Sequence, residues 1–172
     1  MQAQWTPAYV ALGSNLREPI QQVQHALTEL ATLDATRLIS HSSLYQSAPL
    51  GPQDQPAFIN AVAGVLTQLS AVELLAQLQA IERRMGRESP IQRWGPRVID
   101  LDILMHGDSR CDTPELKLPH PGLMLRSFVL TPLAEIAPQL VLPGGITAAA
   151  AAQRAGREGL QSVTGASSGA TV

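Results

Sequence analysis

The chain has 172 residues, 45% hydrophobic content and a formal charge of −2, enough for one respectable core and too short for two ordinary domains. The negative balance gives no basic footprint for nucleic acid, and no run of about 18 apolar residues suggests a membrane span. The opening "MQAQWTPAYV" lacks the basic start and apolar stretch of a signal peptide, and the single Cys111 cannot form an internal disulfide, so we expect a cytoplasmic home and read Cys111, between Arg110 and Asp112, as an ordinary free thiol.

In chain order, "AYVALGSNL" reads as a short buried strand from Tyr9 to Leu12 running into a Gly-Ser-Asn turn. Pro19 suits a first helical position, and Ile20, Val23, Leu27, Leu30 and Ala31 recur at helical spacing to about residue 32. "TRLISHSSLYQS" has the β-branched and polar mixture of a strand, and "PAFINAVAGVLT" is the next one, after the loop "APLGPQDQP". Ser70 and Glu73 form a capping box, and Leu74, Leu75, Leu78, Ile81 and Met85 mark the apolar face of a helix that stops at Gly86. Residues 87–96, with two prolines and a glycine, read as a loop entering the strand of "RWGPRVIDLDIL". The order β-α-β-β-α-β predicts an α+β, ferredoxin-like antiparallel sheet with both helices on one face. A further hairpin, a His-Pro loop and short helices should follow. We expect one domain over residues 1–155, and a mobile tail over residues 156–172, which are rich in Gly, Ser, Ala and Thr.

The strand of "RVIDLDIL" raises a question of charge. Side chains alternate along a strand, so Asp100 and Asp102 share one face, roughly 6 to 7 Å apart, while Ile99, Leu101 and Ile103 take the other. Two bare carboxylates at that distance repel by about 2 to 3 kcal/mol at an effective dielectric near 20. The pair needs bulk water, as on a solvated edge strand, or a cation. Arginine concentrates just upstream: Arg83, Arg84, Arg87, Arg93 and Arg97 are five of eleven, and Lys117 is the single lysine. Arg83 and Arg84 suit a helix C-terminus. Arg87, Arg93 and Arg97 beside two carboxylates are what a polyphosphate with Mg²⁺ requires, hard oxygen ligands for the metal and guanidinium forks for the phosphate oxygens. "ALGSNL" lacks the second glycine, lysine and Ser/Thr of a phosphate loop and reads as a plain strand-to-helix turn. Two positions stay open. His120 in "LPHPGL" either contacts a phosphate or leaving group or hydrogen-bonds within its turn, and Trp94 either clamps a purine or anchors its loop. His25, His41 and His106 read as surface or structural residues.

"RWGPRVIDLDIL" resembles the signature of the hydroxymethyl-dihydropterin pyrophosphokinases of folate biosynthesis. The similarity extends to "YVALGSNL", "APLGPQDQPAFINAV", "LPHP" and "FVLTPLAEIAP", across roughly residues 8–145. The resemblance implies transfer of pyrophosphate from ATP to the hydroxymethyl group of 6-hydroxymethyl-7,8-dihydropterin, with release of AMP. It implies two Mg²⁺ ions on Asp100 and Asp102, loop arginines Arg87 and Arg97 closing on the triphosphate, and a nucleotide side of Gln79, Glu82, Trp94, Arg97, Ile103, His120 and Arg126. The pterin side would be Ser47, Pro49, Leu50, Phe58, Asn60 and Phe128. Two departures stand out: Ser89 and Pro90 occupy a stretch of the loop where the family often carries a further basic residue, and "GLML" after the His-Pro pair is more apolar than usual. The partners expected are small molecules, neither nucleic acid nor membrane, with the protein a monomer. A rival from another class, a non-catalytic ferredoxin-like module binding a small ligand or RNA through its sheet, wants paired aromatics in a basic surround; the chain has 3% aromatics and a negative charge.

Overall fold

The computed structural model describes residues 2–87 and 94–163, and the backbone of 169–170. Ser89, Pro90 and Arg93, to which the loop reading appealed, lie outside the described residues. The chain folds as β1 (Thr6–Ser14), α1 (Pro19–Ala31), β2 (Thr36–His41), β3 (Tyr45–Ser47), β4 (Phe58–Thr67), α2 (Ala71–Arg84) and β5 (Asp100–His106). There follow β6 (Cys111–Asp112), β7 (Lys117–Leu118), α3 (Ser127–Ile136), α4 (Ala148–Ala155), β8 (Gln161–Ser162) and β9 (Gly169–Ala170). The main sheet runs β5-β1-β4-β2-β9, with β3 on the far end of β4 and β8 outside it. Every pairing is antiparallel.

The helices begin and end where local chemistry sets them. Pro19 opens α1, and Ser70 and Glu73 close the expected capping box, Ser70 Oγ accepting from the Glu73 N–H while the Glu73 carboxylate accepts from the Ser70 N–H. The α2 side chains Leu74, Leu78 and Ile81 are fully buried, each contributing about 2 kcal/mol by removal from water. Together with α1 they cover one face of the sheet, over Val10, Leu12, Ala61, Ala63, Leu101 and Ile103. The opposite face is covered too. Val129, Leu130 and Leu133 of α3 and Ala148 and Ala151 of α4 pack over Val62 and Leu104. The sheet is therefore buried on both sides at one end, which is why β4 reads as a nearly continuous apolar run.

Three local expectations change. The first strand does not turn at Gly13 but continues through Ser14, because both residues keep ladder partners on β4. The single strand expected in "TRLISHSSLYQS" is broken at Ser42–Ser43–Leu44: Ser42 Oγ accepts the Val62 N–H at 3.0 Å while its own N–H donates to the Val62 carbonyl at 2.9 Å. A side chain thus replaces a backbone acceptor in the ladder. The segment from 156 onward is not free over residues 157–163. Leu160 is buried, Val163 packs against the core and donates to the Leu44 carbonyl at 2.9 Å, and β8 pairs with Tyr45 and Gln46. Two apolar residues in a polar segment suffice to dock it. Among the described residues no helix is long and apolar enough to cross a membrane.

Candidate active site

Alternation along β5 sends Leu101 and Ile103 into the core beneath α1 and α2 and leaves Asp100 and Asp102 on the opposite face. Register extends that row across the sheet. Asp100 lies beside Gly13, which lies beside Asn60, which lies beside Tyr45; Asp102 lies beside Ala11, itself beside Val62. Gly13 and Ala11 make a low floor between taller walls. A Cβ added to Gly13 would stand 3.5 Å from Asn60 Oδ1 and 3.9 Å from a Phe58 ring carbon, so any longer side chain there would enter the slot the floor defines.

That floor opens into a cleft whose empty space, open mouth included, is about 730 Å³. On one side it is lined by Ser47, Leu50, Phe58 and Asn60, on the other by Arg126 and Phe128, with Asp100, Asp102, His120, Trp94 and Arg97 at the acidic end. Both phenylalanines are only partly buried, as wall residues should be. Asn60 is buried, and its amide donates to Ser47 Oγ at 2.8 Å.

Asp100 is gripped by two guanidinium groups: Arg87 Nη1 donates to Oδ1 and Arg97 Nη1 to Oδ2, each at 2.9 Å. Arg87 also pairs with Glu82, whose Oε2 accepts the Leu101 N–H at 3.0 Å and so ties α2 to β5. Burial raises the Glu82 pKa despite the Arg87 charge. Burial opposes the charge on Arg87, but Asp100, Glu82 and Asp102 outweigh it and raise its pKa. Asp102 has no such grip. Desolvation on the cleft floor, followed by the charges of Asp100 and Glu82, pushes it up to about 7, although 40% of its side chain is exposed. The nearest histidine, His120, has Nε2 at 3.8 Å from Asp102 Oδ2. His120 Nδ1 accepts the Gly122 N–H at 2.9 Å, which places the proton of the neutral ring on Nε2, facing Asp102. Burial first, then Arg126, lowers the His120 pKa. The turn hydrogen bond on Nδ1 is present, and the other ring nitrogen faces the cleft.

The oxygen donors fit a hard divalent cation. Asp102 carries a charge deficit that a cation would relieve, and Asp100 stands two residues away on the same face. Among the described residues no group of three or more His, Cys, Asp or Glu forms a ready cage; a cation held by these two carboxylates would take its remaining ligands from water or substrate oxygens, as Mg²⁺ commonly does.

Not every residue expected at the site arrives there. Gln79 lies on the exposed face of α2, the Ile103 side chain is in the core, and Pro49 is buried outside the cleft lining. Glu82 and Arg87 act behind the lining, through Asp100. Trp94 both lines the cleft and anchors its loop: its carbonyl accepts from Gln55 Nε2 at 2.9 Å, and its ring packs on Gly51. Composition and spacing missed Asn15. Buried completely, it accepts the Arg97 N–H at 2.9 Å on Oδ1 and donates through Nδ2 to Gln55 Oε1 at 2.9 Å and the Pro56 carbonyl at 3.0 Å. Its own N–H donates to the Arg97 carbonyl at 3.1 Å. One side chain thereby fixes the proline loop and the Trp94–Arg97 segment to the end of β1.

Known proteins resemble this chain in sequence and in fold. The family model of 7,8-dihydro-6-hydroxymethylpterin-pyrophosphokinase matches residues 9–138. The 2-amino-4-hydroxy-6-hydroxymethyldihydropteridine pyrophosphokinase of Pseudomonas aeruginosa is 54% identical over 137 residues, 80% of this chain and 84% of that protein. The enzyme of the same name from Haemophilus influenzae is 49% identical over 136 residues, 79% of this chain and 84% of that protein. A crystal structure of a Plasmodium falciparum HPPK-DHPS triple mutant with pteroate superposes with a TM-score of 0.70 at 14% identity, over 97% of this chain and 48% of that one. The chain spans about half the length of that structure, which shares its fold. By sequence and by fold, the chain belongs to the 7,8-dihydro-6-hydroxymethylpterin-pyrophosphokinase family.

Proposed function

We propose that this pyrophosphokinase moves the terminal pyrophosphoryl group of ATP onto the hydroxymethyl oxygen of 6-hydroxymethyl-7,8-dihydropterin, with two Mg²⁺ ions held at Asp100 and Asp102. One observation carries the reading: a single cleft joins a slot flanked by Phe58 and Phe128, with Asn60 and Ser47 at its rim, to the same-face carboxylates and their arginines. A flat heterocycle wants two π-faces and an edge of hydrogen-bonding groups. A triphosphate wants guanidinium groups and a metal.

In this reading Phe58 and Phe128 sandwich the pterin, Asn60 and Ser47 read its edge, and Leu50 closes the mouth. Arg87 and Arg97 exchange the Asp100 carboxylate for the more highly charged triphosphate, which leaves the Asp100 oxygens for the cation. Arg126 and His120 Nε2–H donate to phosphate oxygens, and Trp94 stacks on the nucleotide. Gln79 and Ile103 would meet the nucleotide only along the outer side of α2 and the main chain of edge strand β5. The hydroxymethyl oxygen forms a bond to the β-phosphorus, the bond from that phosphorus to the oxygen bridging the α-phosphorus breaks, and AMP departs with the electron pair. Asp100 orients the attacking hydroxyl, whose proton passes to water. Bound at Asp100 and Asp102, Mg²⁺ supplies positive charge to the phosphate oxygens and lowers the pKa of the hydroxyl. We place the enzyme in the cytoplasm as a monomer, on its single unpaired Cys111 and a cleft whose described lining comes from one chain.

The test is AMP release, followed by anion-exchange chromatography, as a function of pterin alcohol, ATP and Mg²⁺. AMP should form only when all three are present and should stop on chelation. AMP formation at the same rate without the pterin alcohol, or in excess chelator, would overturn the reading.

A further inference from the structure

Away from the chemistry, α3 and β3 are joined at one point. The Glu135 carboxylate accepts from the Ser43 N–H at 3.1 Å to each oxygen, from Ser43 Oγ at 2.7 Å and from Tyr45 Oη at 2.7 Å. These partners are 90 and 92 residues distant in sequence. Tyr45 is buried, and its hydroxyl, pushed up to about 12 by burial and then by the Glu135 hydrogen bond, stays a donor throughout the physiological range.

The two elements so joined carry the Phe128 wall and the Ser47 rim of the pterin slot. Phe128 and Glu135 are seven residues apart on α3, two helical turns and about 10 Å, and so share a face. Tyr45 and Ser47 are two apart on β3 and share a face of the sheet; their partners on β4 are Asn60 and Phe58. Asn60 donates to Ser47 Oγ at 2.8 Å and reaches the Tyr45 carbonyl at 3.5 Å. A continuous path therefore runs from Glu135 through Tyr45 to the amide and hydroxyl at the slot's rim. β3 has little else to hold it: three residues long, it follows the break at Ser42–Leu44 and has only two-residue β8 on its outer side.

We propose that Glu135 is a positioning residue for pterin recognition: by pinning β3 to α3 it sets the spacing between the Phe128 wall and the Ser47–Asn60 rim. The inference rests on the pterin reading of the cleft. It requires a larger effect on pterin use than on the nucleotide side, because Asp100 and Arg97 are held by β5 and Asn15, which Glu135 does not touch, while Arg126 caps the far end of α3, nine residues from Glu135.

Steady-state kinetics with each substrate varied, on Glu135→Ala, Glu135→Gln, Tyr45→Phe and Phe128→Leu, decides it. Glu135→Ala should raise the pterin KM about tenfold, the loss of one to two net hydrogen bonds at the rim, with ATP KM and saturated kcat within about twofold. Glu135→Gln should recover part of this, since its one amide oxygen can accept from Ser43 while its amide nitrogen donates to the Tyr45 hydroxyl oxygen. Tyr45→Phe added to Glu135→Ala should cost less than the product of the separate losses, because both remove one interaction. Equal losses in both KM values and in kcat, with a lowered melting temperature, would make Glu135 merely structural and overturn the proposal. An unchanged pterin KM in Glu135→Ala, while Phe128→Leu raises it, would overturn the positioning role and leave the pterin reading standing. If Phe128→Leu also left the pterin KM unchanged, the pterin reading would fail and this inference with it.

Discussion

Replacing Asn15 by alanine probes the scaffold of the site without removing any side chain that the proposed function places on substrate. The side chain is 1% exposed and makes three hydrogen bonds, one accepted from Arg97 N and two donated to Gln55 and the Pro56 carbonyl. At about 1 kcal/mol net for each, with some of the partners left buried and unpaired, the loss is about 3 kcal/mol. For a domain of this size that corresponds to a fall of roughly 6 to 12 °C in melting temperature. Asn15→Asp should do no better, because a carboxylate keeps the acceptor for Arg97 but loses both donors and buries a charge. Urea unfolding with an unchanged m-value measures the stability term. The same variants should lose at least about tenfold in kcat/KM, since Gln55, Trp94 and Arg97 lose their common anchor. A stability loss below about 1 kcal/mol in both variants, or wild-type kcat/KM in either, would refute the hub assignment.

Asp102 has a folded pKa near 7 against an ordinary value of 3.8, so the folded state binds more protons between those values. The stability its protonated carboxyl contributes is present at low pH and lost as pH rises through 7. In metal-free protein, Asp102→Asn should therefore gain melting temperature over wild type progressively from pH 5 to pH 8; a pH-independent difference would remove the basis for the charge deficit. Deleting residues 157–172 should cost about 2 to 3 kcal/mol, from the burial of Leu160 and the pairing of β8 with β3, and should raise the pterin KM. An unchanged melting temperature would show that the segment does not dock. Phe58→Leu and Phe128→Leu should each weaken binding of an oxidised pterin alcohol by roughly 1 to 2 kcal/mol in calorimetric titration, with little effect on an ATP analogue. Lost stability at constant pterin affinity would make both phenylalanines core.

What could be read in advance was what depends on near neighbours. The capping box of Ser70 and Glu73 and the stop at Gly86 are contained in a few residues, and α2 follows them. The period of two along β5 placed Asp100 and Asp102 opposite Leu101 and Ile103. That same period put the Ile103 side chain in the core, and for that side chain the structure follows the alternation rather than the nucleotide-side role suggested by resemblance. Asn15 was invisible because its three side-chain partners lie 40 to 82 residues away, and a lone Asn after a strand reads as a turn residue. Gly13 was taken for that same turn, whereas its value lies in the low floor it gives the cleft between Asp100 and Asn60. Leu160 and Val163 are too few to suggest docking by composition, yet Gln161 and Ser162 between them pair with the edge of β3, and Val163 donates to the Leu44 carbonyl just before it.

The central claim is that one cleft passes two phosphorus atoms together from ATP to a pterin alcohol. Phosphorus-31 NMR of the complete reaction, run beside Asp102→Asn, reads it directly. The reaction should yield equal amounts of AMP and of a pterin ester carrying two coupled phosphorus resonances, with no product from Asp102→Asn on the same time scale. Formation of ADP with a single-phosphorus pterin ester, or wild-type product yield from Asp102→Asn, would contradict it.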